Sequence, residues 1–411
     1  MIVAGGTYRE SVVVPHHVDD LAGSGFRAAA ALASADLELV TAVEPAFVEL
    51  LTMGARTFGF KATDHGRDKG VGFEYFAPFV EPVIHGAHAQ LQVEMRITGE
   101  TALAFGMVEE GVRSFSVDTL VYDPQSIHDP GVALLAGAKR KRFAFCANDH
   151  ETRALGHSDV LEDAARNVAS ELRADVVVTK AGARGCLVTD LAAEKQEWVG
   201  AIPSTKVWKL GSGDVFSAGF AHAWGAGADP VEAARVASRS AAWWCTTRVN
   251  QIPREILAGS AFAIPGEASE LANSGSRPMV YLAGPFFTVA ERWLVDACRW
   301  FLLQAGAEVF SPFHEIGVGG PEVAKQDLDG LRRADVVLAL LDGWDPGTLF
   351  ETGWAENANI STVAVASNLN HVGTTMLEGT GTELHTDITT ALYRAIWVGL
   401  GAPLLVVARE D

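Results

Sequence analysis

The sequence predicts an α/β protein built from two successive parallel-sheet domains. Three observations predict it. Short β-branched runs, Asp175-Val176-Val177-Val178-Thr179 and Ala334 to Leu340, have the length and composition of strands buried on both faces. Ala-rich stretches, Ser217 to Trp224 and Pro230 to Trp244, read as helices packed on a sheet. The segment Ala258 to Pro278 is rich in Gly, Ser, Ala and Pro, lacks a core period and reads as an interdomain linker. The division is therefore a domain over 1–258, a linker over 259–277 and a second domain over 278–411.

The 411 residues suit two or three domains at about 150 residues each, and no internal repeat is visible. Lys and Arg number 32 against 51 Asp and Glu, a net charge of −19. That balance disfavours a phosphate-tracking binder of nucleic-acid polymers and docking on anionic membranes. Small anionic ligands remain open, because backbone amides at helix N-termini hold phosphate locally. No apolar run reaches the roughly 18 residues of a membrane span. Met1 to Gly6 runs straight into a strand-like stretch without the parts of a signal peptide. Cys146, Cys186, Cys245 and Cys298 lack CxxC spacing. They are expected to be small core residues in a cytoplasmic protein rather than disulfide or zinc partners.

In the first domain the most informative segment is Leu210-Gly211-Ser212-Gly213-Asp214. Small residues there let the backbone approach an anion, and a helix that follows at once turns its free N–H groups toward it. Asp214 stands where a carboxylate can take the proton of a hydroxyl attacking a phosphoryl group. The bland reading is a Gly-rich turn with Asp as a helix cap. Three other segments accompany it: Val121-Tyr122-Asp123-Pro124-Gln125, Asn148-Asp149-His150-Glu151 and Thr179-Lys180-Ala181-Gly182-Ala183-Arg184-Gly185.

In order and spacing, these segments resemble the GAGD, NxxE and TxGxxG motifs of the PfkB/ribokinase family of sugar and nucleoside kinases, over about residues 1–255. The resemblance implies a ribokinase-like three-layer α/β/α domain using ATP and Mg2+. It makes Asp214 the base and Gly211, Ser212 and Gly213 the anion hole. Thr179, Gly182, Gly185 and Asn148 would bind ATP or its phosphates, and Asn148 and Glu151 would organise magnesium indirectly. The acceptor end departs from the family: Glu10 stands at the sugar-binding Asp position and Arg27 where Asn is usual. The region between also looks short for a full substrate lid.

In the second domain, Asp342 to Ala355 follows a buried strand, and ligands of open α/β sheets bind at such strand ends. Gly343, Pro346 and Gly347 make a tight loop, and Glu351 is expected in the opening turn of the next helix. Upstream lie Asp327 and Asp329, the latter read as solvated. Grouped carboxylates suit chemistry at an anomeric carbon, where one attacks and another manages the leaving group's proton. Helix-cap roles for each are the alternative.

The YLAGPF start at Tyr281 to Phe286, the SPFHE stretch at Ser311 to Glu315 and the block ending at Glu351 resemble the nucleoside 2-deoxyribosyltransferase family, over about residues 278–400. Glu351 follows Asp345 by six residues and Asp327 precedes Asp335 by eight, as in that family. The resemblance implies a smaller Rossmann-like (flavodoxin-like) domain. Glu351 would be the nucleophile, Asp345 and Asp327 would contact the base and assist proton transfer, and Tyr281 would orient Glu351. Gly284 and His314 would line the sugar and base pocket. Thr374 and Met376 stand where an Asn-x-Met stretch serves a neighbouring subunit of a homo-oligomer, with Thr374 replacing Asn.

Trp243, Trp244, Trp293 and Trp300 read as core or interface, and Trp344 and Trp354 flank the carboxylate loop. Lys139 to Arg142 reads as a solvated face. The leading expectation is a two-domain enzyme of nucleoside metabolism acting on a small nucleoside, nucleotide or sugar. The alternatives are an N-glycoside hydrolase whose kinase-like domain only senses nucleotide, and a non-enzymatic nucleotide-binding regulator.

Overall fold

A computed structural model describes residues 1–34, 36–126, 131–260, 264, 269–272, 275–317, 319–367, 369 and 371–405. The stretch read as a linker, 259–277, falls partly outside these residues. The chain divides into two compact units. The first comprises Met1–Ala181, Gly185–Val199 and Trp208–Pro265; the second comprises Gly182–Arg184, Gly200–Val207 and Gly266–Asp411.

The strands of the first unit are β1 (Ile2–Ala4), β2 (Tyr8–Val12), β3 (Val18–Ala22), β4 (Glu38–Thr41), β5 (Lys61–Asp64), β6 (Gly72–Tyr75), β7 (Val83–His85), β8 (Met95–Phe105), β9 (Arg113–Asp123), β10 (Arg142–Asn148), β11 (Val176–Lys180), β12 (Gly185–Asp190) and β13 (Lys195–Gly200). Nine form one sheet in the order β13-β12-β11-β10-β9-β8-β1-β4-β5. From β11 to β5 the strands run parallel, and β12 is antiparallel to β11. Val176, Val177 and Val178 are buried in β11, as the unbroken β-branched run predicts for a strand covered on both faces. The helix Pro230–Thr247 starts where Asp229 accepts the Val231 N–H at 2.9 Å, with Pro230 in the first turn.

The other four strands form a separate sheet, β3-β2-β6-β7. This corrects the expectation of a region too short for a lid. Residues 8–22 supply half of the sheet, and a later excursion, 72–85, supplies the rest through parallel β2–β6 pairing. The basic run also differs from a plain solvated face. Arg140 lies 4.2 Å over the Phe143 ring and Arg142 lies 4.1 Å over Trp224, so their stems cover apolar surface. Cys146, Cys186 and Cys298 are buried and Cys245 is half-buried. Trp244 is buried, whereas Trp293 and Trp300 are 45% and 40% exposed.

The second unit contains β14 (Met279–Ala283), β15 (Glu308–Phe310), β16 (Val336–Leu340), β17 (Ser361–Val365) and β18 (Glu383–His385), all parallel, in the order β15-β14-β16-β17-β18. This is the 2-1-3-4-5 order of flavodoxin-like sheets, which opens a ligand crevice where β14 and β16 diverge at their carboxyl ends. Its core gathers Tyr281, Val337, Ala339, Leu341 and Ala364. Among the described residues no helix is long and apolar enough to cross a membrane.

Candidate active sites

In the first unit the chain turns at Gly211, with φ +77°, into the helix Ser212–Gly225. A side chain is excluded here twice. That φ disfavours it, and a Cβ on Gly211 would stand 2.2 Å from Arg27 Nε. The amides of the helix's first turn lack intrahelical acceptors, and Asp214 occupies the third helical position. Trp244 Nε1 fixes the approach by donating to Leu210 O at 2.7 Å.

Asp214 is buried and fully engaged. Arg27 Nη1 donates to its Oδ2 at 2.6 Å, and Gln125 Nε2 donates to its Oδ1 at 3.2 Å. Arg27 Nη2 donates to Glu10 Oε2 at 2.6 Å, and Gly23 N–H donates to Glu10 Oε1 at 3.0 Å. Burial raises the Asp214 pKa against the lowering pull of Arg27. Burial opposes the Arg27 charge, but Glu10 and Asp214 outweigh it and raise its pKa. Glu10 and Arg27, the two departures from the family's acceptor residues, thus stand together with Asp214. Tyr75 of β6 feels all three charges; burial and Glu10 raise its pKa. A cavity of about 310 Å³ adjoins the group, lined among others by Glu10, Asp20, Arg27, Trp208, Trp244 and Arg248.

Asn148 and Glu151 form a reciprocal cap on the helix Asp149–Gly156. Asn148 Oδ1 accepts the Glu151 N–H, and Glu151 Oε2 accepts the Asn148 N–H, both at 2.8 Å. Glu151 is pushed up to about 7, first by burial and then by Asp123. Thr179 turns into the core, its Oγ1 3.2 Å from Thr152 Oγ1, rather than toward the Gly211 turn. Its neighbour Lys180 faces that turn instead. Successive strand residues point to opposite faces, and the sequence alone does not say which of the two faces a ligand. Gly185 has φ +100° and accepts the Ala181 N–H at 2.7 Å. Gly182 has φ +56° and falls in the short segment grouped with the second unit.

A nucleotide with a divalent cation fits the residues present on one observation. Asp123 Oδ1 is buried without a hydrogen-bond partner, while its Oδ2 accepts from Ser217 Oγ, in the same helix as Asp214, at 2.7 Å. A buried lone pair left without a donor costs about 1–3 kcal/mol, which a bound cation or its water would relieve. Among the described residues no group of three His, Cys, Asp or Glu side chains could hold a metal by itself. A magnesium ion would therefore be shared between Asp123 or Glu151 and phosphate oxygens, the usual arrangement for this cation.

In the second unit Tyr281, buried on β14, donates from Oη to Glu351 Oε1 at 2.6 Å. Its ring stacks on Phe310 with centroids 5.5 Å apart and planes at 14°. Glu351 lies in the second turn of the helix Pro346–Asn357, not the opening turn. Burial pushes its carboxyl up to about 7, the Tyr281 hydrogen bond lowers it, and the charges of Asp327 and Asp345 raise it further. Burial raises Asp327, which sits in the helix Pro321–Leu331. Asp345 caps the Glu351 helix, its Oδ2 accepting from Thr348 N–H at 2.7 Å and Thr348 Oγ1 at 3.0 Å. One carboxylate is thus oriented by a phenol, and two others stand within electrostatic reach at the crevice between β14 and β16. Gly284 directly follows β14, and a Cβ there would meet Leu340 at 3.2 Å.

The remaining residues named from the sequence make contacts of their own. His314 pairs with Ser311 Oγ at 3.0 Å and Asp296 Oδ1 at 2.9 Å, not with the carboxylates. Asp329 is exposed, as read from the sequence, and pairs with Arg332. Thr374 is 1% exposed, with its Oγ1 unpartnered, while Met376 is 75% exposed. The stretch therefore splits, with Thr374 facing its own core and Met376 facing outward.

Two family models match the chain. "pfkB family carbohydrate kinase" covers residues 112–256, and "Nucleoside 2-deoxyribosyltransferase" covers residues 280–386. No curated protein matches by sequence. Among solved structures the chain is similar to ribokinase from Thermotoga maritima at 14% identity, covering 62% of this chain and 97% of that one, with a TM-score of 0.46. It is also similar to adenosine kinase from Sinorhizobium meliloti at 13% identity, covering 62% and 97%, with a TM-score of 0.47.

Proposed function

We propose that this chain, which joins a pfkB-family carbohydrate kinase domain to a nucleoside 2-deoxyribosyltransferase domain, is a bifunctional enzyme of nucleoside metabolism. Its second domain cleaves or transfers the N-glycosidic bond of a nucleoside or deoxynucleoside. The observation that carries this is the Tyr281–Glu351 hydrogen bond at the mouth of the sheet crevice. Glu351 carboxylate attacks the anomeric carbon, the C–N bond breaks, and its electron pair leaves with the base. Asp345 or Asp327 delivers the proton that the departing base nitrogen takes. A second base, or water, then attacks the same carbon and releases Glu351, so configuration is retained. Glu351 must be ionised to attack, and the Tyr281 hydroxyl favours that form.

The first domain transfers a phosphoryl group from ATP to a sugar or nucleoside hydroxyl. The Gly211–Gly213 turn would hold phosphate oxygens, and Asp214 would accept the hydroxyl proton. Magnesium, when bound beside Asp123 and Glu151, supplies charge neutralisation for the phosphates. A second reading, in which this domain senses nucleotide without turnover, is favoured by the Arg27–Asp214 ion pair, which ties up the base. Assaying ADP formation with a panel of sugars and nucleosides separates them. ADP formation abolished by Asp214→Asn supports the kinase, and bound but unconsumed ATP in the wild type supports the sensor. The test of the second domain is release of free base from nucleosides and their monophosphates.

A further inference from the structure

We propose that Lys180 is the cation that faces the terminal phosphoryl group in the first domain's nucleotide site. This rests on the nucleotide-binding reading of that domain and adds a residue to it. Lys180 ends β11, and its side chain is 13% exposed. Its Nζ is ion-paired with Asp123 Oδ2 and lies 3.5 Å from Ser217 Oγ. A Cβ placed on Gly213 would stand 3.7 Å from that Nζ, so the ammonium lies directly against the anion-hole turn. Three elements therefore converge on one charge: the end of β9 through Asp123, the end of β11, and the first two turns of the Ser212–Gly225 helix.

Charge balance points the same way. Asp123 pairs with the ammonium on one side, and Ser217 stands on the other, so Lys180 is held as a cation facing the turn. The unpartnered Asp123 Oδ1 marks the pair as unfinished on the side where a cation or its water would sit. A terminal phosphate entering at Gly213 meets an ammonium already oriented by Asp123 and Ser217, which costs little reorganisation. Lys180 stays protonated throughout transfer. The hydroxyl proton goes to Asp214, and the breaking P–O bond's electrons leave with the nucleoside diphosphate.

The test is binding, independent of turnover. Full-length wild type, Lys180→Met and Lys180→Arg are titrated calorimetrically, with Mg2+, against ADP and against the ATP analogue carrying nitrogen between its β and γ phosphates. Lys180→Met is expected to weaken the triphosphate about tenfold or more while changing ADP less than about threefold, and Lys180→Arg to restore most of the loss. Equal weakening of both ligands, or of neither, overturns the proposal while leaving nucleotide binding intact. A wild type that binds neither nucleotide overturns the nucleotide reading together with it. Ser217→Ala keeps the ammonium but removes one of its two anchors. It is expected to give a smaller triphosphate-selective loss, about two- to fivefold. If Lys180→Met does not fold, absence of that selective loss in Ser217→Ala overturns the proposal.

Discussion

Arg27 Nη1 lies 2.6 Å from Asp214 Oδ2, and the same guanidinium holds Glu10 through Nη2. Asp214 comes from the helix that follows the Gly211 turn, and Glu10 from β2 of the small sheet. One buried arginine therefore ties the group proposed as base to Glu10 of the small sheet. Removing one member of such a buried set leaves the others uncompensated, which costs about 3–5 kcal/mol. Arg27→Met is expected to lower unfolding stability by that amount in urea denaturation, and Arg27→Met with Glu10→Gln and Asp214→Asn to recover much of it. An unchanged denaturation midpoint in the single variant would contradict the account of this cluster.

Arg27 occupies the space that a side chain on Gly211 would need. Gly211→Ala puts a methyl where Arg27 Nε already lies and demands φ +77° of an L-residue. We expect a loss of about 1–3 kcal/mol in stability and weakened nucleotide binding by calorimetry. Gly182→Ala is the control: its φ is +56°, but no atom lies within 4 Å of the added Cβ. In stability it should cost backbone strain alone, without the steric part of the Gly211→Ala loss.

Tyr281→Phe deletes the phenolic donor and keeps the ring stacked on Phe310. Hydrogen bonds to charged groups are worth about 1.5–3 kcal/mol, so base release should fall about ten- to a hundredfold. The lost donor no longer favours ionised Glu351, so the acidic limb of the pH profile should also move to higher pH. A rate unchanged at every pH would sink the orienting role.

The pH dependence follows from the sign of the Glu351 shift. Its carboxyl is raised to about 7, so the neutral form dominates below that pH and the attacking carboxylate above it. Base release should climb about tenfold per pH unit below 7 and level off above it, measured by steady-state rates between pH 5 and 8. A flat profile across that range would mean that Glu351 does not attack as a carboxylate.

Much of this was legible in the sequence because short spacings constrain geometry. Val176 to Val178 announced a buried strand, and the Asp345-to-Glu351 interval placed a cap and a carboxylate on one helix. The Tyr281–Glu351 contact spans 70 residues. It was readable only through the family resemblance, since strand order, not spacing, brings the two together. The small sheet was not legible because its β2–β6 pairing is remote in sequence, with Arg9 opposite Gly72. Lys180 was passed over in favour of Thr179 because strand alternation leaves the ligand-facing residue undecided until the neighbours are known. Arg27 was visible as a departure from the family's Asn, but its two carboxylate partners, one 187 residues away, were not.

The most direct test of the central claim is release of free nucleobase from a panel of nucleosides and nucleoside monophosphates. It compares full-length wild type with Glu351→Gln, with and without an added acceptor base. The account predicts release by the wild type from at least one substrate, with loss of about a thousandfold or more in Glu351→Gln. It also predicts a sugar covalently trapped on Glu351 and detected by mass spectrometry. Equal release by both proteins, or none from any substrate by the wild type, would contradict it.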